Sequence, residues 1–146
     1  MMVISACLCG CNCKYSGGNN ENEQCVKLFK EGKAVLICPE QLGGMTTPRL
    51  PAEISKRDKK ILVINKIGEN VTEFFEKGAE ESLKIAKLVN ANIAILKEGS
   101  PSCGSSYIYD GKFSKNKIKG EGLTAKLFRK NGIKVFSEDN IKGILL

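Results

Sequence analysis

Thiols are the reactive groups this chain displays most prominently, and their placement is uneven. Cys7, Cys9, Cys11 and Cys13 occupy alternate positions directly after the apolar run Met2-Val3-Ile4. Cys38 follows Ala34-Val35-Leu36-Ile37, and Cys103 closely follows Ile93-Ala94-Ile95-Leu96. Three apolar runs thus lead into three thiols, each set ahead of a loop containing glycine or proline. The chain has no histidine at all. That removes the usual acid–base group, the mixed His–Cys zinc sites and any Cys–His nucleophile pair. The chemistry left is that of thiolates, carboxylates, hydroxyls, lysines or a bound cofactor.

Cysteine ligates both iron–sulfur clusters and structural zinc. Zinc sites favour paired Cys-x₂₋₄-Cys knuckles, whereas Cys38 and Cys103 stand alone. If residues 7–13 stay extended, Cys7 and Cys11 point one way and Cys9 and Cys13 the other, so all four reach one metal only through a turn, which Gly10 is able to supply. The reading that uses one thiol from each strand end is more economical. Cys7, Cys38 and Cys103 then hold three irons of a [4Fe–4S] cluster and leave the fourth without a protein ligand, a Lewis acid open to a soft atom such as sulfur. Cys25, at helical spacing with Leu28 and Phe29, reads as core, as does Cys9. Cys11 fits either reading. Cys38 and Cys103 lie in predicted loops, where a buried small hydrophobe is not expected.

The elements that would position these thiols alternate in type. Residues 2–6 and 34–37 read as buried strands, with a helix running to about Lys30 between them, its cap and acidic first turn supplied by Asn20-Glu21-Asn22-Glu23 and its end by Gly32. Residues 43–51 hold two glycines and two prolines and read as irregular; 52–58 carry no pattern; 60–65 suggest a strand at the sheet's edge. Phe74, Phe75, Ala79, Leu83, Ala86 and Val89 form the apolar stripe of a helix over 71–89. A strand at 93–96, a hairpin-like turn within 107–113, a helix from 120–123 to Lys130 and a strand at 133–137 follow. This alternation predicts an α/β fold, a single domain over residues 1–146 with a mostly parallel sheet flanked by helices on both faces.

Composition sets the outer bounds. A chain of 146 residues, 42% hydrophobic and 27% charged, has enough material for one core without staples. No apolar run is long enough for a membrane span and no signal peptide is apparent, so a cytoplasmic protein is expected. Its seven cysteines are then metal-binding or catalytic rather than disulfide-bonded. The net charge of +7 admits an anionic partner. Nucleic acid is not favoured, because the lysines are scattered and no aromatic stacking platform is visible.

Several segments together carry a family resemblance. They are Ser5-Ala6-Cys7-Leu8, Cys13-Lys14-Tyr15-Ser16-Gly17, Cys38-Pro39-Glu40, Thr47-Pro48-Arg49-Leu50-Pro51, Ser100-Pro101-Ser102-Cys103-Gly104, Ile108-Tyr109-Asp110-Gly111-Lys112-Phe113 and Gly120-Glu121-Gly122-Leu123-Thr124-Ala125. In this order, along essentially the whole chain, they resemble the thiouracil desulfidase family. The resemblance implies an α/β enzyme with a [4Fe–4S] cluster that removes sulfur from a thiolated uracil or similar small thio-nucleobase, releasing sulfide and leaving the oxo base. It also implies Cys7, Cys38 and Cys103 as cluster ligands, with Cys13 a second-tier candidate. Glu40 takes the place of the catalytic carboxylate and Ser100 that of the catalytic serine. Arg49, Lys97 and Ser102 are expected at the substrate-binding surface. A non-catalytic iron–sulfur or zinc protein, a sulfur carrier or sensor, is the alternative.

Overall fold

The computed structural model describes residues 1–144. Its centre is a four-stranded parallel sheet of β1 (Met2–Ser5), β2 (Ala34–Ile37), β5 (Ile93–Ile95) and β8 (Lys134–Phe136), in the order β2-β1-β5-β8. Side chains of successive strand residues point to opposite faces, so each strand feeds two cores. Ile4, Ala34 and Ile95 pack against Cys25 and Leu28 of helix α1 (Glu23–Lys30). Val3, Ile37 and Ala94 pack against Ala86 of α3 (Thr72–Leu88) and Phe128 of α4 (Leu123–Lys130). Both faces are covered by helices, as the alternating pattern predicted.

Strand order turns about β1. The chain leaves β1 for β2 on one side and returns through α3 to β5 on the other, which opens a crevice beyond the carboxyl ends of β1 and β5. Such a switch point is where open α/β sheets bind ligands.

The other strands differ from expectation. Residues 52–57 form a regular strand, β3, paired antiparallel with β4 (Lys60–Asn65) in a sheet of its own, so β4 is not an edge strand of the main sheet. Asp58 and Lys59 turn this hairpin with φ of 48° and 66°. Both central residues of such a tight turn need positive φ, and a lysine there gives no signal in the sequence. A second hairpin, β6 (Tyr107–Tyr109) and β7 (Lys117–Lys119), has a longer loop than the turn expected within 107–113. Residues 6–9 form a single 3₁₀ turn ended by Gly10 at φ 89°, so the four N-terminal cysteines do not alternate along a strand. Helix α1 is capped by Asn22, within the segment expected to supply the cap, and its side chain accepts the N–H groups of Gln24 and Cys25. In α3, Phe74 lies outside the stripe, partly exposed over Gly44.

Two glycines bring the site elements together. A Cβ on Gly43 would lie 1.9 Å from the Phe74 carbonyl oxygen, and one on Gly78 would lie 2.0 Å from that of Pro39. Backbone therefore meets backbone where α2 (Pro39–Leu42) crosses α3, and only glycine leaves room for it.

Glu98 secures the loop after β5. Its buried carboxylate accepts the backbone N–H groups of Ser105, Ser106 and Tyr107 and both serine hydroxyls. Burial pushes its acidity down the scale of strength, but these bonds outweigh it and hold the carboxyl at about 2. A folded-state value below the unfolded one stabilises the fold above the unfolded carboxyl range, and that gain disappears as pH falls through about 2. Replacing Glu98 by Gln is expected to cost about 3 kcal/mol near neutrality, from the size of the shift. In urea titrations the gap between variant and parent should hold at pH 6 and narrow as pH falls from about 4 toward 2.

Candidate active site

A cavity of about 570 Å³ occupies the carboxyl end of the parallel sheet. Cys7, Cys13, Cys38 and Cys103 all line it, as do Glu40, Arg49, Lys97, Ser100 and Ser102. All nine residues singled out in the sequence therefore meet at one cavity. Cys9, Cys11 and Cys25 are not among its lining residues. Cys25 is fully buried in the α1 core and Cys11 is exposed.

The thiols differ in environment. Cys7 sits in the 3₁₀ turn after β1; burial raises its pKa, opposed by a hydrogen bond from the Asn20 side chain. Cys38 ends β2 and serves as the N-cap of α2, so Cys38-Pro39-Glu40 opens a short helix instead of the expected loop, with Pro39 at its favoured first position. The Cys38 thiol donates to the Cys13 carbonyl at 3.7 Å, and its interaction with the Cys13 thiol brings it below the usual thiol range, against the effect of burial. The same contact, followed by burial, drives Cys13 upward. Cys103 is buried, not merely placed in a loop, and burial pushes it up to about 12. Its sulfur accepts the Ser5 hydroxyl at 3.3 Å, while Ser5 accepts the Lys97 N–H at 3.0 Å. Ser5 was not anticipated; its one signal is a polar residue closing an apolar strand.

Glu40 is the hub of the polar side. Arg49 Nε donates to its Oε1 at 3.0 Å, and Ser102 Oγ donates to its Oε2 at 2.9 Å. Ser100 and Ser102 hydroxyls lie 3.1 Å apart, and Ser100 Oγ accepts the Cys103 N–H at 2.7 Å. Because Ser102 spends its proton on Glu40, the hydroxyls run in one direction, Ser100 to Ser102 to Glu40. Arg49 is almost wholly buried, and its remaining donors go to the carbonyls of Cys13 and Thr46 and to the Thr47 hydroxyl. Its guanidinium fork thus holds the irregular loop, the N-terminal segment and Glu40 in one arrangement. Lys97 is paired with Glu138 at 2.8 Å. Burial works to lower its pKa, but the bond to Glu138 prevails and raises it. Glu138 was not anticipated, because its partner lies 41 residues away in sequence.

Among the described residues no group of three or more cysteine, aspartate or glutamate side chains is placed to hold a metal ion. Zinc requires its ligands around one tetrahedron, whereas a [4Fe–4S] cube takes each thiolate on a separate iron. Three thiols set apart around one cavity therefore fit the cube and not the single ion.

Fold and site together define an α/β protein that gathers three cysteines and one partly buried carboxylate beyond the carboxyl ends of its strands, at a sheet switch point. The chain belongs to the 2-thiouracil desulfurase family, whose model matches residues 2–140. It is 46% identical to the uncharacterized protein YbbK of Bacillus subtilis (strain 168), covering 99% of this chain and all of that protein. A solved structure of a [4Fe-4S]-dependent thiouracil desulfidase, TudS, superposes with a TM-score of 0.90 at 40% identity, covering 99% of this chain and 94% of the other. Among the described residues no helix is long and apolar enough to cross a membrane.

Proposed function

We propose that this chain is a [4Fe–4S]-dependent desulfidase that converts a thiolated uracil to uracil and releases sulfide. The observation that carries the reading is the meeting of Cys7, Cys38 and Cys103 with Glu40 on one cavity wall. Cys7, Cys38 and Cys103 hold the cluster, and Cys13 supports Cys38 beside it. When bound, the cluster supplies an iron without a protein ligand, a Lewis acid suited to the sulfur of a C=S group. Glu40 is the general base that takes a proton from water attacking the ring carbon, the role a carboxylate fills in a site without histidine. Arg49 holds the carboxylate in place. Ser102 orients the second carboxylate oxygen, and Ser100, one hydroxyl further along, carries a proton between Ser102 and the bound ring. Lys97, its charge already shared with Glu138, fixes the loop backbone and adds positive potential to the wall.

Anaerobic reconstitution tests this reading. About four irons and four acid-labile sulfides per chain are expected, the content of one cube, together with sulfide release from 2-thiouracil or 4-thiouracil. Colourless protein holding one zinc ion would overturn it and leave the carrier or sensor reading.

A further inference from the structure

The loop joining β6 to β7 places an aromatic ring on the cavity wall at a conformational cost. Phe113 lines the cavity and has φ of 55°, a conformation rarely adopted by a bulky side chain. Such a conformation persists only where its surroundings impose it, and here they do. One carboxylate oxygen of Glu53, on β3, accepts the N–H groups of both Gly111 and Phe113, at 3.0 and 3.2 Å. Asp110 accepts the Lys112 N–H and the Asn116 side-chain amide, closing the loop on itself. Gly111, at φ 90°, lies so close to β3 that a Cβ there would sit 2.9 Å from the Ile54 carbonyl oxygen. Neither of the other aromatic lining residues is held this way. Tyr109 lies in a regular strand, edge-on to Tyr107 with centroids 6.4 Å apart, and Tyr15 is about half exposed.

We propose that Phe113 is the platform on which the flat pyrimidine ring of the substrate stacks, with Glu53 as the residue that positions it. The inference rests on the desulfidase reading for the identity of the ring and deepens it, assigning ring recognition to the second hairpin and sulfur chemistry to the parallel sheet. An aromatic face suits a pyrimidine because stacking is indifferent to the substituent being exchanged, so thio and oxo forms are held alike and only the reaction distinguishes them.

The test uses cluster-loaded protein, with sulfide release from 2-thiouracil and calorimetric binding of uracil measured side by side. Phe113→Leu, which keeps an apolar side chain and removes the ring, should raise KM and the uracil Kd by about 10- to 100-fold, the range for losing one base–aromatic stack, with kcat little changed. Phe113→Trp should retain parental affinity. Glu53→Gln, which still accepts both N–H groups, should bind like the parent, whereas Glu53→Ala should weaken uracil binding. Parental KM and Kd in Phe113→Leu would overturn the proposal, as would equal falls in kcat and kcat/KM with Kd unmoved. If the parent binds uracil yet releases no sulfide, the desulfidase reading fails, and the dependence of uracil binding on Phe113 still decides the platform.

Discussion

Replacing Glu40 by Gln is expected to lower kcat for sulfide release by about 10²- to 10⁴-fold, the usual worth of a positioned acid–base group. The amide keeps the size of the side chain and an oxygen for Arg49 Nε, but it can no longer take up a proton. Glu40 is not among the residues assigned to the cluster, so iron content and visible absorption should match the parent. That pairing of unchanged cluster with lost turnover separates a chemical role from a structural one. Glu40→Ala is a poorer test, because it leaves the buried Arg49 guanidinium without its carboxylate, and an unpaired buried charge is strongly destabilising. Undiminished sulfide release by the Gln variant would remove Glu40 from the mechanism.

Cys103→Ser is expected to abolish activity by a different route, through loss of the cluster itself. A serine hydroxyl fits the space of the thiol but is a poor ligand for iron in a sulfur-bound cube. Iron after reconstitution should fall from about four per chain to below about one. The other cysteines supply controls. Cys11→Ser alters an exposed thiol outside the cavity lining and should keep full iron content. Cys13→Ser should keep most of it, because Cys13 is assigned to support Cys38 and not to hold an iron. Full loss of iron in Cys13→Ser would make Cys13 a ligand, and retention of iron in Cys103→Ser would remove Cys103 from the set.

Much of this protein could be read from residue order alone. Apolar runs of strand length alternating with amphipathic helical stretches are local patterns, because side-chain periodicity is fixed by backbone geometry. They led to the parallel sheet, to α1, α3 and α4, and to the fully buried Cys25. Cysteines placed just after three such strands were enough to predict one thiol-lined site, since parallel strands present their carboxyl ends at a common edge. The site residues taken from the family resemblance likewise come to the wall of that edge's cavity.

What tertiary structure decided depends on partners far apart in sequence. That Ser102 and not Ser100 touches Glu40 follows from how the loop after β5 folds over α2, 62 residues away. That Arg49 grips Glu40 and the Cys13 carbonyl, and that Lys97 is paired with Glu138, are likewise contacts without a local signature. The hairpin turned by Asp58 and Lys59 was invisible because its residues break the usual turn chemistry and are held there by the pairing of β3 with β4. Phe113 owes its setting to a carboxylate on another hairpin. Chain order thus determined which chemical groups reach the sheet edge, because strand and helix periods are local. Only packing determined which atoms meet there, because a hydrogen bond between distant residues depends on the whole fold that brings them together.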